Sequence, residues 1–124
     1  MSVRVGVIGV GAMGRNHARV YWEMADVELV GVADADPQAA EAAARRYRVP
    51  AYLDYRRLLD EGRPDAVSIA VPTLDHPAVA MEAIDRRIHL LVEKPIAFDV
   101  QIGQQIVAGA ERAGVVLMVG HIER

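Results

Sequence analysis

Apolar residues in this chain fall in short unbroken runs, separated by amphipathic or polar stretches. Residues 3–9 form the first run, rich in β-branched side chains, and predict a strand buried on both faces. Gly11 to Gly14 turns the chain. Over 13–24, Met13, His17, Val20, Tyr21 and Met24 recur at spacings of three and four, which predicts a helix with one apolar face. Residues 27–33 read as the second strand. Asp36-Pro37 starts a helix that runs to about Tyr47, because a carboxylate caps free amides and proline suits the first helical position. Residues 51–53 read as a short edge strand, and Asp54 caps a helix through Leu58 and Leu59 that stops at Gly62. Residues 66–71 are a strand. Asp75 then caps a helix that tolerates Pro77 in its first turn. Residues 89–92 form a strand, Asp99 caps a long last helix ended by Gly114, and 115–119 is the final strand.

Six continuous apolar strands alternating with helices predict an α/β fold, a parallel sheet covered on both faces. Right-handed crossovers leave few topologies, and the doubly wound order 3-2-1-4-5-6 is the natural one.

Composition narrows the function. A chain of 124 residues is one domain, and 52% hydrophobic with 25% charged residues supports an ordered core. A net charge of −3 offers no basic surplus for a nucleic acid. The absence of cysteine removes disulfides, thiolate zinc sites and cysteine nucleophiles, and fits a reducing cytoplasm. No two histidines have metal-ligand spacing, so no metal site is expected. The longest purely apolar run, 115–119, is far short of a membrane span. Arg4 and the apolar stretch after it resemble a signal peptide, but glycines punctuate that stretch and no clear cleavage site follows.

Gly9-Val10-Gly11-Ala12-Met13-Gly14 is a complete G-x-G-x-x-G with a strand before it, a helix after it, and an acid, Asp34, about 20 residues beyond. Gly9 permits the tight turn. Gly11 lets the backbone approach a pyrophosphate, and Gly14 lets helix and strand pack closely. The free amides of Ala12 and Met13 lie at the positive end of the helix dipole and suit an anion. Asp34 would accept hydrogen bonds from the adenosine ribose. The bland alternative is a packing turn with Asp34 as a loop cap. A carboxylate at 34, with no cation at Ala35, repels a 2′-phosphate and favours NAD over NADP. Arg45 and Arg46 read as a solvated face.

Residues 5–21 (VGVIGVGAMGRNHARVY), 70–77 (AVPTLDHP), Glu93-Lys94-Pro95 and the closing VGHIER resemble the glucose–fructose oxidoreductase / inositol dehydrogenase / rhizopine-catabolism (Gfo/Idh/MocA) family. The closing segment is most similar to its nucleotide-sugar 3-dehydrogenase branch. The resemblance implies a Rossmann domain of an NAD(P)-dependent enzyme that moves hydride between a sugar or cyclitol hydroxyl and nicotinamide. It implies that Val71, Pro72 and Thr73 line the cofactor, that His76 sits near the same cleft, and that Glu93 and Lys94 reach the nicotinamide end. It also makes Lys94 the catalytic residue and implies a Lys94-Pro95 bond that is often cis. From position alone, Lys94 reads more simply as the partner of a surface carboxylate such as Glu93. An ammonium at a strand's carboxyl end can also stabilise a developing alkoxide and relay its proton.

His17 lies on the apolar face of its helix and reads as a packed, hydrogen-bonded core residue. His89 caps its strand. His121, near the crevice, is open to a cofactor or substrate role, and Trp22 and Met24 read as helix packing. The family's enzymes carry a second, substrate-binding domain. The expectation is therefore that 1–124 is the cofactor half alone, binding NAD(H) without turnover. A stand-alone dinucleotide sensor, or a subunit acting with a separate substrate domain, is the alternative. Apolar side chains around Ile96, Phe98, Met118 and Ile122 would face water without that domain, which favours a homo-oligomer.

Overall fold

The computed structural model describes residues 2–120. Strands β1 (Val3–Ile8), β2 (Val27–Ala33), β3 (Ala51–Tyr52), β4 (Ala66–Ile69), β5 (His89–Glu93) and β6 (Leu117–Gly120) form one sheet in the order β3-β2-β1-β4-β5-β6. Every neighbouring pair is parallel. This is the expected doubly wound Rossmann topology. Helices α1 (Ala12–Glu23), α2 (Pro37–Tyr47), α3 (Tyr55–Arg57), α4 (His76–Asp85) and α5 (Val100–Ala113) link the strands.

Strand alternation divides the core. Val7 and Val32 point to a layer shared with Ala18 of α1 and Ala43 and Tyr47 of α2. Their neighbours Ile8 and Ala33 point to the opposite layer, with Val79, Ala80 and Ala83 of α4 and Ile106 and Ala110 of α5. Two strands are displaced from expectation. β4 ends at Ile69, so Ala70, Val71 and Pro72 are free to leave the sheet as a loop. β6 begins at Leu117, after Val116 N–H donates to His89 Nδ1.

The caps are the most faithfully encoded feature. Asp36 accepts from Gln38 N–H, Asp54 from Arg56 N–H, and Asp99 from Gln101 and Ile102 N–H. Gly114 closes α5 in the left-handed region at φ 74°. Asp75 departs from its expected role. A 3-10 turn over Thr73–Asp75 runs straight into α4, so Asp75 is already helical and makes no side-chain cap.

The buried face of α1 also differs. Gly14, His17, Ala18 and Tyr21 turn inward, while Val20 and Met24 are exposed and Trp22 is 56% exposed, its ring 5.7 Å from that of Tyr47. Those inward positions are i, i+3, i+4 and i+7 counted from Gly14, the residue that touches the sheet. Side-chain hydrophobicity gives a glycine no weight, so the stripe read from sequence was rotated.

Past α3 the chain widens into a π-helical turn, Leu58–Gly62. It carries Leu58 into a socket floored by glycines of the adjacent strands β1 and β2. A Cβ at Gly31 would stand 2.8 Å from Leu58 Cδ1, and one at Gly6 3.1 Å from Cδ2.

Candidate functional site

β1 and β4 are adjacent, but the chain leaves them toward opposite faces, and a crevice opens at their carboxyl ends. A cleft of about 460 Å³ occupies it. Its walls include Gly9 and Gly11, Asp34 and Ala35, Leu53 and Tyr55, Val71 and Pro72, and Asp75, Ala78 and Val79.

The glycine turn is built as its spacing implies. Gly9 has φ 93°, in the left-handed region. A Cβ on Gly14 would sit 1.6 Å from the Gly9 carbonyl oxygen, so only glycine lets α1 approach this closely. Gly11 is different: a Cβ there would meet nothing within 4 Å. Among the described residues nothing requires glycine at 11, and the space above it is open.

The start of α1 has the same character. Gly11 supplies no side-chain cap, and the first turn holds no acid, whereas α2, α3 and α5 are capped by aspartates. The amides of Ala12, Met13 and Gly14 therefore begin the helix without an internal acceptor from a side chain. Such a terminus is a ready anion site.

Asp34 acts as the loop cap of its second reading. Its Oδ2 accepts from Val10 N–H and its Oδ1 from Asp36 N–H, each at 2.9 Å. The carboxylate thereby ties the glycine turn to the end of β2. Each oxygen retains acceptor capacity, and Asp34 lines the cleft. Ala35 beside it brings no cation. Arg45 pairs with Glu41 and Arg46 is exposed, the solvated face expected.

The remaining predicted residues divide. Val71 and Pro72 line the cleft, but Thr73, His76, Glu93 and Lys94 do not. His76 is 1% exposed. One ring nitrogen lies 2.9 Å from the Val71 carbonyl oxygen and the other 3.1 and 3.2 Å from those of Pro95 and Ile96. It fastens the loop after β4 to the loop after β5, and so supports the cleft from behind. Glu93 ends β5, and its carboxylate accepts from buried His17. Lys94 follows, exposed, its amide donating to the Gly120 carbonyl, and the Lys94-Pro95 peptide is cis. His121 and Ile122 lie outside the described residues.

The sequence reading missed Leu53, Tyr55, Asp75, Ala78 and Val79 as cleft walls. Tyr55 is half-buried, and burial outweighs neighbouring Arg56 to push its hydroxyl above the usual tyrosine range, so it stays neutral. Its signal was its place just beyond the third strand's carboxyl end, where doubly wound sheets bind ligands. No group of three metal-binding side chains occurs among the described residues.

Residues 3–121 match the model of an oxidoreductase family described as an NAD-binding Rossmann fold. The whole chain is 39% identical over 124 residues to UDP-N-acetylglucosamine 3-dehydrogenase of Acidithiobacillus ferrooxidans, spanning 38% of that protein. It is 37% identical over 128 residues to an inositol 2-dehydrogenase/D-chiro-inositol 3-dehydrogenase of Lacticaseibacillus casei, spanning 37% of it. Among solved structures, the WlbA dehydrogenase of Bordetella pertussis, in complex with NADH and UDP-GlcNAcA, superposes with a TM-score of 0.92 at 30% identity. That match covers 97% of this chain and 37% of the other. The chain thus spans a little over a third of the length of these relatives.

Proposed function

This chain belongs to the Gfo/Idh/MocA oxidoreductase family, and from that premise we propose that residues 1–124 bind NAD(H) as the cofactor half of a dehydrogenase acting on a sugar- or cyclitol-type hydroxyl. The observation that carries this reading is the Gly9–Gly14 contact, which brings an uncapped helix terminus to the mouth of the cleft. The diphosphate takes the first amides of α1, the adenosine ribose takes Asp34, and the adenine lies toward Leu53, Tyr55 and Ala78. Bound nicotinamide would supply the hydride acceptor or donor.

Lys94, at the exit of β5, is the residue we assign to the carbinol oxygen. Its ammonium stabilises negative charge developing there by hydrogen bonding and, in the reducing direction, donates a proton to that oxygen. Thr73, Glu93 and Lys94 follow or end strands at the sheet's carboxyl edge and are assigned to the nicotinamide end, with His76 tying together the loops after β4 and β5. The carboxylate of Asp34 disfavours NADP. Further substrate-binding groups would come from a second domain such as the family's enzymes carry, so residues 1–124 alone bind cofactor without steady turnover. We place the protein in the cytoplasm, because it uses no cysteine and no helix among the described residues is long and apolar enough to cross a membrane.

Calorimetric titration with NADH tests the reading. Wild type is expected to bind, and Asp34→Ala to bind at least about tenfold more weakly, because it removes charged acceptors worth roughly 1.5–3 kcal/mol each. A folded wild-type chain that takes up no NADH at millimolar concentration overturns it.

A further inference from the structure

Lys94 is the single lysine of the chain, and the other basic side chains are all arginines. Its immediate neighbour is Glu93, the carboxylate best placed by sequence to neutralise it. The structure separates them. Leu90 and Val92 of β5 face the α4–α5 layer, so Glu93, one step on, faces the α1 side. There it meets His17 of α1, with Nε2 and Oε2 2.5 Å apart and the side chains only 2% and 13% exposed. The imidazole lies edge-on to Tyr21, whose hydroxyl bonds Ser68 of β4, so the ring is fixed from both ends. Among the described residues no carboxylate lies within 4.0 Å of the Lys94 ammonium.

We propose that His17 is a positioning residue whose task is to hold Glu93 away from Lys94, leaving that ammonium unneutralised at the exit of β5. A carboxylate in contact with the ammonium would favour its charged form and compete with a substrate oxygen for its N–H donors. A leucine at 17 would fill the same packing stripe, but it would leave a nearly buried carboxylate without a donor, and the remedy nearest at hand is Lys94. Histidine supplies a short, rigid N–H that settles Glu93 on the α1 side. The purpose of this arrangement rests on the role assigned to Lys94, but the geometry does not, and the test reads the amine itself.

The rate of Lys94 acetylation by N-hydroxysuccinimidyl acetate at mildly alkaline pH, followed by peptide mass with the α-amino group as internal reference, decides the matter. Wild type and Glu93→Gln are expected to react at the same rate, because Glu93 does not touch the amine. His17→Leu should slow the reaction about threefold, the effect of one new exposed ion pair. Adding Glu93→Gln to His17→Leu should restore the wild-type rate, and His17→Gln, whose amide can still donate to Glu93, should keep it. An unchanged rate in folded His17→Leu overturns the proposal, as does acceleration by Glu93→Gln alone. If His17→Leu does not fold, His17→Ala takes its place, with the same slowing expected and an unchanged rate again overturning the proposal. NADH titration of the same samples reports the cofactor reading separately, so either can fail while the other stands.

Discussion

Gly14 and Gly11 are the same residue type three positions apart, yet they answer to different demands. Alanine at 14 would force its Cβ onto a backbone oxygen, and neither partner is a flexible side chain. Gly14→Ala is therefore expected to lower unfolding stability by about 1–3 kcal/mol or more, measured by chemical denaturation. Gly11→Ala should leave that stability unchanged, since its Cβ meets open space, and should weaken NADH uptake instead. Equal effects of the two substitutions on stability would contradict the assignment. The motif's spacing separated the two beforehand, Gly14 for packing and Gly11 for close approach of a ligand, and the structure shows the packing at 14 and open space at 11. Asp34 was less legible: sequence offered a ribose acceptor or a loop cap as rivals, and one carboxylate with four acceptor sites performs the second while keeping room for the first. His17 was legible as a buried, bonded histidine, but its partner lies 76 positions away, and no local pattern carries that information.

Helix starts were the easiest elements to read, because an aspartate cap is a short-range bond between residues two or three apart. Asp75 shows where that rule fails, as a preceding 3-10 turn takes the extended backbone a cap needs. The π-helical turn was invisible, since the glycine socket that draws Leu58 inward is assembled from two strands distant in sequence. The outer side of that turn is tied to α4 by Arg86, which donates to Asp60 and Glu82, while Arg56 also donates to Glu82. These bonds, chiefly from Arg86, hold both carboxyls below the usual carboxylate range. A carboxyl depressed in the folded chain stabilises it above the unfolded value and loses that contribution as pH falls through the folded one. Arg86→Met should thus melt lower than wild type at neutral pH, and the gap should close below about pH 4. Parallel thermal melts across the acid range check this, and a gap independent of pH would assign the loss to packing alone.

At the scale of the molecule, strand order followed from the continuous apolar runs and the right-handed crossover, both global rules that tolerate small errors in element ends. The early end of β4 mattered more than its size suggests, because the residues it releases become a wall of the cleft. The sheet's β6 side carries Met118 at 61% exposure, with Val116 and Val119 also exposed, and Phe98, 70% exposed, and Val100 on the segment leading into α5. Isolated apolar residues are ordinary on a surface, but several exposed along an edge strand favour association. Light scattering on the 124-residue chain is expected to give a mass above one protomer that rises with concentration, and a constant single-protomer mass would remove that expectation. One ammonium among so many guanidiniums also has a bearing at the bench. Amine-directed dyes, cross-linkers and sensor surfaces will attach at the chain's α-amino group and at the exit of β5, and nowhere else. A molecule tethered through its lysine would lose the very amine assigned to the carbinol oxygen, so immobilisation by another chemistry is the sounder choice.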